Sequence, residues 1–490
     1  MDSVRSTSKD VPPLDGTPRS TKSHAGECQK TGILRMNRKD EKVEGNDLTT
    51  GSVGKNLVRF ALPYLLACFM QTFYGMADLF VVGLYNGSET TTAVAIGSQV
   101  MHMLTVIIVG LAMGATVRIG RSVGAGDKRR AAETVGAAVL FFVAFAGVLT
   151  AGLLLSVNLI IGVMLTPAEA VAQTRIYLCI CFAGVPFITA YNVICSVFRG
   201  AGDSRRPMYF VAVACVVNIV LDFVFVGAGL GAAGAALATV FGQAVSVLFA
   251  LFVLRKKNLG FQVKRQDIRI DREAISQICK VGVPIACQDG LIQVAFIVIT
   301  VIANSRGLIA SAAVGIVEKL IGFMFLVPSA FLSAISAITA QNMGADKPER
   351  ARASLGYGLL ITVCWGILCT VYNQLFPQTL VGLFTRDAAV LAAGCAYMRS
   401  YVFDTIFAAV HFCFSGYFCG DQKAGISFIH NITAIVLVRI PGAYFASLWF
   451  PDDLYPMGWA APLGSLLSAL ICVGFYAYCR GHERKAAAQK

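Results

Sequence analysis

Few residues in this chain could do chemistry, and they sit where ionised groups are costly. Asp78, Asp222, Asp289, Glu318, Lys319, Asp404 and Arg439 all fall inside long apolar stretches. An ionisable group in hydrocarbon is expensive and is by default a functional candidate. Distance along the helix sorts them. Asp78 and Asp222 each lie about five residues, roughly 8 Å, from the far end of a predicted helix. Thr239 lies about seven residues, roughly 10 Å, from the far end of the next one. Asn218 precedes Asp222 by one turn and shares its face. Two carboxylates, an amide and a hydroxyl at one depth, with no Lys or Arg among them, describe an oxygen-rich cation site. Hard cations such as Na+ prefer oxygen ligands. Adjacent carboxylates suit a proton equally well, because both cannot easily stay charged.

The second half of the chain reads differently. Asp404 and Arg439 each lie about fifteen residues, roughly 22 Å, inside their predicted helices. They can neutralise each other, which makes a structural pair. The alternative is a coupling or substrate role for Asp404. Glu318 and Lys319 are neighbours pointing about 100° apart on one helix, so each needs a partner elsewhere. Asp289, in the middle of its helix, faces a cleft or a polar neighbour. His102, His411 and His430 are read as satisfied core or interface histidines rather than proton carriers.

The elements that must hold these groups are membrane spans. Apolar residues make up 56% of the 490-residue chain and charged residues 14%, against about a quarter charged in soluble domains. Apolar stretches recur too often and run too long for core helices. The pattern predicts twelve helices near 56–84, 93–117, 131–156, 174–198, 207–227, 232–254, 276–303, 311–338, 351–376, 395–419, 424–447 and 459–479. The net charge of +13 lies mostly in short segments between spans, which is a topology signal and not a nucleic-acid surface. Nineteen Lys and Arg fall in alternate loops, against four in the intervening ones, which puts both termini in the cytoplasm. The fifteen Cys are scattered through apolar runs without metal-ligand spacing and read as small hydrophobes.

The chain also says the same thing twice. "VGAGDKRRAAETVG" begins at Val123 and "MGADKPERARASLG" at Met343. Gly124 and Gly344 are 220 apart, Pro63 and Pro284 are 221 apart, and two Gly-Asp pairs at 202 and 420 are 218 apart. A common offset means a duplicated six-helix unit. Six is even, so both copies enter the membrane in the same direction, as parallel repeats. The expected organisation is a disordered cytoplasmic tail over 1–54, a six-helix lobe over 55–254, a basic cytoplasmic linker over 255–275, a second lobe over 276–480 and a tail over 481–490. Residues 1–50 show no apolar periodicity and no signal-peptide core. Within the first helix, Pro63 removes a backbone donor and can act as a kink.

Several fragments in their order resemble the multidrug and toxic compound extrusion (MATE) transporters. They are "LPYLLACFMQTFYGMADLFVVG" with Pro63 and Asp78, "GAGDKRRA", "FRGAGDSRRP", "NIVLD" with Asn218 and Asp222, and "GLGAAGAALAT" ending at Thr239. The resemblance spans about 55–480, and "VRIPGAY" leans towards the bacterial DinF-like branch. It implies an all-α polytopic membrane protein of the MATE fold. It implies a secondary antiporter, not an enzyme, that exports organic, often cationic amphipathic compounds in exchange for Na+ or H+. Implied with it are a bacterial inner (plasma) membrane location, a monomer, small-molecule and lipid partners, no nucleic acid and no cofactor beyond the ion. The family's cation-site positions map onto Asp78, Asn218, Asp222 and Thr239, with Asn192 as a further member. Two alternatives stay open. A lipid-linked oligosaccharide flippase of the same superfamily should line its cleft with Arg and Lys. A major-facilitator-type transporter shares the six-plus-six plan, and its loop motif is faintly echoed by "GAGDKRR".

Overall fold

In lipid, every backbone polar group must be satisfied internally, and helices do this within one segment. The computed structural model describes residues 47–256 and 259–488. The described residues are helical almost throughout. The spans are α1 Val53–Tyr85, α2 Ser88–Gly124, α3 Lys128–Leu155, α5 Arg205–Phe225, α6 Gly231–Lys256, α7 Arg272–Asn304, α8 Leu308–Gly344, α9 Pro348–Leu375, α11 Ala424–Trp449 and α12 Ala460–Ala488. Two further spans are broken. α4 runs Ala168–Ala183 and then Val185–Gly200, bent by 45°. α10 runs Ala388–Tyr401 and then Asp404–Gly420, bent by 43°. Helices α5 and α6 are joined by a π turn over Val226–Leu230. Fully extended, their 52 residues would reach roughly 78 Å, more than twice the ~30 Å of hydrocarbon. Positive φ at Gly229 (86°) and Gly231 (53°) instead folds them into a hairpin. Among the described residues, with that hairpin counted as two and each bent pair as one, this gives the expected twelve spans, six in each repeat.

The structure corrects three local expectations. The fourth and tenth spans are each two helices, because Gly184 and the Val402–Phe403 turn interrupt them. Helices α2 and α8 have 37 residues each, longer than the apolar pattern alone marks, and at roughly 55 Å exceed the ~30 Å of hydrocarbon. The tail expected to be structureless lies outside the described residues for 1–46, but residues 47–54 are ordered. Leu48 is 3% exposed and packs with Phe60 of α1 and with Phe331 and Leu355 of α8 and α9.

The quoted repeat does more than turn the chain. The positive-φ position falls at Gly126 in one copy and Asp346 in the other. Gly124 and Gly344 are instead helical and lie in the contact between lobes. A Cβ on Gly124 would lie 1.9 Å from the Gln341 carbonyl oxygen, and one on Gly344 would lie 2.1 Å from that of Arg121. Residues 121 and 341 carry the same offset, so each motif packs its glycine onto the other's backbone about a two-fold axis. The Gln341 amide adds a bond to the Gly200 carbonyl at the end of α4, 2.9 Å. The lobes are therefore closed on each other at the basic end. The Gly-Asp pairs diverge. Asp203, just before α5, accepts the Arg205 N–H at 2.9 Å and pairs with Arg206 at 3.3 Å, whereas Asp421 pairs with Lys423 at 2.7 Å. The basic linker docks under the first lobe, with Leu259 and Phe261 buried and Arg269 paired to Glu133 at 3.0 Å.

Candidate ion-coupling site

Helices α1, α5 and α6 pack together and bring three short patterns to one place. Asp78 comes from α1, Asn218 and Asp222 from adjacent turns of α5, and Thr239 from α6. Asp78 is 3% exposed, Asn218 2% and Asp222 fully buried. The Thr239 hydroxyl lies 3.3 Å from Asp78 Oδ2 and 3.0 Å from the Ala235 carbonyl, and its single proton can serve one of them. The Asn218 amide donates to Thr239 Oγ1 at 3.5 Å. The carboxyl of Asp222 lies against that of Asp78.

This cluster has more acceptors than donors. Asp78 Oδ1, Asn218 Oδ1 and both Asp222 oxygens have no hydrogen-bond partner. Buried polar atoms are normally partnered, and buried carboxylates doubly so. No Lys or Arg among the described residues pairs with either acid. Two facing carboxyls in that setting need a proton or a cation between them. The donor set is all oxygen, which suits Na+, and no cluster of three or more His, Cys, Asp and Glu with metal-ligand geometry exists among the described residues.

The structure enlarges the set that the sequence pattern marks. Gln243 lies one turn beyond Thr239, is 8% exposed, and donates to the Tyr74 hydroxyl at 3.5 Å, leaving its own Oε1 unpartnered. Tyr74 lies one turn before Asp78. Both residues were legible as i±4 neighbours of assigned positions, the spacing that puts side chains on one helix face. Asn192 goes the other way. It is buried, but its amide is bonded to the Ile188 carbonyl one turn back, 2.9 Å, and not to the cluster. Pro63 lies fifteen residues from Asp78 on the same helix, roughly 22 Å away.

In the second lobe, Arg439 and Asp404 meet. Arg439 Nη2 donates to Asp404 Oδ2 at 2.9 Å, with side-chain exposures of 11% and 0%. Two irregularities bring them together: Asp404 opens the second half of broken α10, and Arg439 ends a π turn in α11. Such turns often sit at functional positions. Arg439 also reaches Ser465 Oγ at 3.5 Å and lines a cavity of about 50 Å³ with Phe296, His411 and Asn431. The Thr300 hydroxyl lies 3.3 Å from Glu318 Oε2 and 2.9 Å from the Phe296 carbonyl, and its single proton can serve one of them; the other Glu318 oxygen is unpartnered. Asp289 accepts from Gln288 at 3.4 Å, and its Oδ2 faces α2, 3.1 Å from where a Cβ on Gly110 would lie. It sits between the lobes and away from both clusters.

Comparison with known proteins agrees with this architecture. The MatE family model matches residues 63–224 and 284–445, one match in each repeat. A probable multidrug resistance protein, YpnP of Bacillus subtilis (strain 168), is 26% identical over 91% of this chain and 99% of its own length. A probable multidrug resistance protein, NorM of Thermotoga maritima, is 24% identical over 81% of this chain and 86% of its own length. Among solved structures, one described as the outward-facing conformation of a multidrug resistance MATE family transporter superposes with a TM-score of 0.83 at 23% identity. It covers 91% of this chain and 99% of that one. A second, a transporter from Pyrococcus furiosus described as having a binding pocket of reverse polarity, gives 0.84 at 22% identity over the same shares.

Proposed function

Because this chain belongs to the MatE family of multidrug efflux transporters, we propose that it is a secondary antiporter. In this reading it exports organic, cationic amphipathic compounds by alternating access, in exchange for Na+ or H+. The observation that carries the proposal is the Asp78–Asp222 cluster, with four unpartnered acceptor oxygens from Asp78, Asn218 and Asp222. Occupied by an ion, the cluster is neutral enough to stay dry and packed. Empty, it holds facing charges and favours a rearrangement of α1 against α5 and α6. One charge crossing ~100 mV supplies roughly 2.3 kcal/mol, about a fiftyfold gradient of cargo. The relatives named as multidrug resistance proteins support an organic cargo, and "VRIPGAY" in α11 supports a DinF-like branch.

The charge bias of the loops supports a cytoplasmic basic end, with the protein in the plasma membrane. Cysteines introduced at Lys128 and Lys347 should then label from the cytoplasmic side alone. Labelling from opposite sides would remove the parallel repeat. The function itself is tested in reconstituted vesicles by dye efflux under an imposed Na+ gradient and, separately, an imposed pH gradient. Efflux driven by neither gradient would refute the antiporter.

A further inference from the structure

The six residues before α1 are held unusually hard by the opposite lobe. Asp47 opens the segment and accepts from the Thr49 N–H at 2.8 Å and the Thr50 hydroxyl at 3.1 Å, which shapes a tight turn. The turn pushes Leu48 inward, where its side chain is buried among α1, α8 and α9. The backbone then runs along a row of donors and acceptors from the second lobe. The Leu48 N–H donates to Gln341 Oε1 at 3.3 Å, and its carbonyl accepts from Asn342 at 3.2 Å. The Thr49 carbonyl accepts from Lys347 at 3.1 Å. Arg350 donates to the carbonyls of Thr50 and Gly51 at 3.0 and 2.9 Å.

This contact bridges the lobes. The segment is continuous with α1, which belongs to the first repeat, and every partner just named lies on α8, α9 or the turn between them. Gln341 sits at the centre. Its carbonyl meets Gly124, its amide holds the Gly200 carbonyl, and its side-chain oxygen holds Leu48. Opening the basic end would separate Gly124 from Gln341 and draw α1 away from α9. It cannot proceed without breaking the row of bonds to residues 48–51 and exposing Leu48.

We propose that residues 47–52 form a strap that locks the basic-end gate shut and must release once in each transport cycle, so that its grip sets how often the gate opens. The proposal rests on the alternating-access reading of the function. Five bonds to backbone groups make the lock insensitive to side chains of the strap itself, apart from Leu48 and Asp47. The control therefore lies with the second lobe, chiefly Arg350, which supplies two charge-assisted donors.

The test uses full-length protein in liposomes, in a background with the native cysteines that are not buried, and Cys28, replaced, and with spin labels at Lys128 and Glu349, exposed positions on the basic ends of the two lobes. Arg350→Gln should raise the open-gate population at least about tenfold, the effect of losing two hydrogen bonds to a charged group. A second variant, Thr49→Cys with Lys347→Cys, is cross-linked with a short bis-methanethiosulfonate, because a lysine side chain separates the two backbones. Made without spin labels, it should lose dye efflux, and reductant should restore it. Cross-linked protein that transports at the uncross-linked rate overturns the strap, as does an unchanged open population in Arg350→Gln. If the wild-type gate shows no open population under any ion gradient, alternating access fails and the strap fails with it. If the wild type opens and the strap variants behave like it, the strap alone fails.

Discussion

Asp404 and Arg439 offer a stringent test of how the second lobe is built. Their contact is 2.9 Å, and the carboxyl is fully buried. Opposite charges about 4 Å apart between centres attract by roughly 4 kcal/mol at an effective dielectric of ~20. Asp404→Asn keeps the shape and one acceptor but removes the charge. It leaves a guanidinium with Glu318 as the other acid in its surroundings, not in contact as an ion pair. Breaking a buried pair from one side costs about 3–5 kcal/mol. Glu318 and the cavity beside Arg439 place this case near ~3 kcal/mol. The double variant Asp404→Asn, Arg439→Gln has no stranded charge, and an amide pair can bridge the same gap. It should therefore recover about 2 kcal/mol, within the usual range for contacting residues. The assay is unfolding in detergent for the wild type, both single variants and the double variant. Strict additivity of the two single losses would refute the pair. Recovery of stability without recovery of dye efflux would show that Asp404 has a transport role as well.

Three further outcomes follow from the geometry. Asp78→Asn and Asp222→Asn should each abolish ion-driven efflux while lowering drug binding less, and the double change should be little worse than either, since the two act as a unit. If Asp404→Asn alone stops transport and these two leave it near normal, the coupling site lies in the other lobe. Gly344→Val places atoms against the Arg121 carbonyl, where a Cβ alone would be 2.1 Å away, and should cost about 1–3 kcal/mol. Gly356→Ala, in the same repeated motif but with open space at its Cβ, should be neutral or slightly stabilising by thermal unfolding, and equal losses at both would contradict the packing. Pro63→Ala restores a helical donor to the Arg59 carbonyl. It should slow efflux while leaving expression and drug binding largely intact, and unchanged efflux would leave Pro63 a static kink.

The apolar runs, the loop charges and the 220-residue offset were enough to establish the helices, their number and the duplication, because these are local or additive properties. Length in hydrocarbon demands about twenty apolar residues per span, and a shared offset survives wherever two copies share a fold. Asp78, Asn218, Asp222 and Thr239 were legible because unpaired polar groups in apolar runs are costly, and helical rise turns sequence distance into depth. Depth is only one coordinate. Which way a side chain points across a bundle depends on how each helix is rotated and crossed against others far away in sequence. That rotation decided that Asn192 satisfies its own helix, that Tyr74 and Gln243 join the cluster, and that Arg439 meets Asp404 through a broken helix and a π turn. It also put Gly124 and Gly344, which mark the repeat in the sequence, into the contact between lobes. Leu48 shows the same limit most plainly. One apolar residue in a polar stretch has no period to read, and its burial exists only because α8 and α9, some three hundred residues later, supply the groove and the donors that hold it.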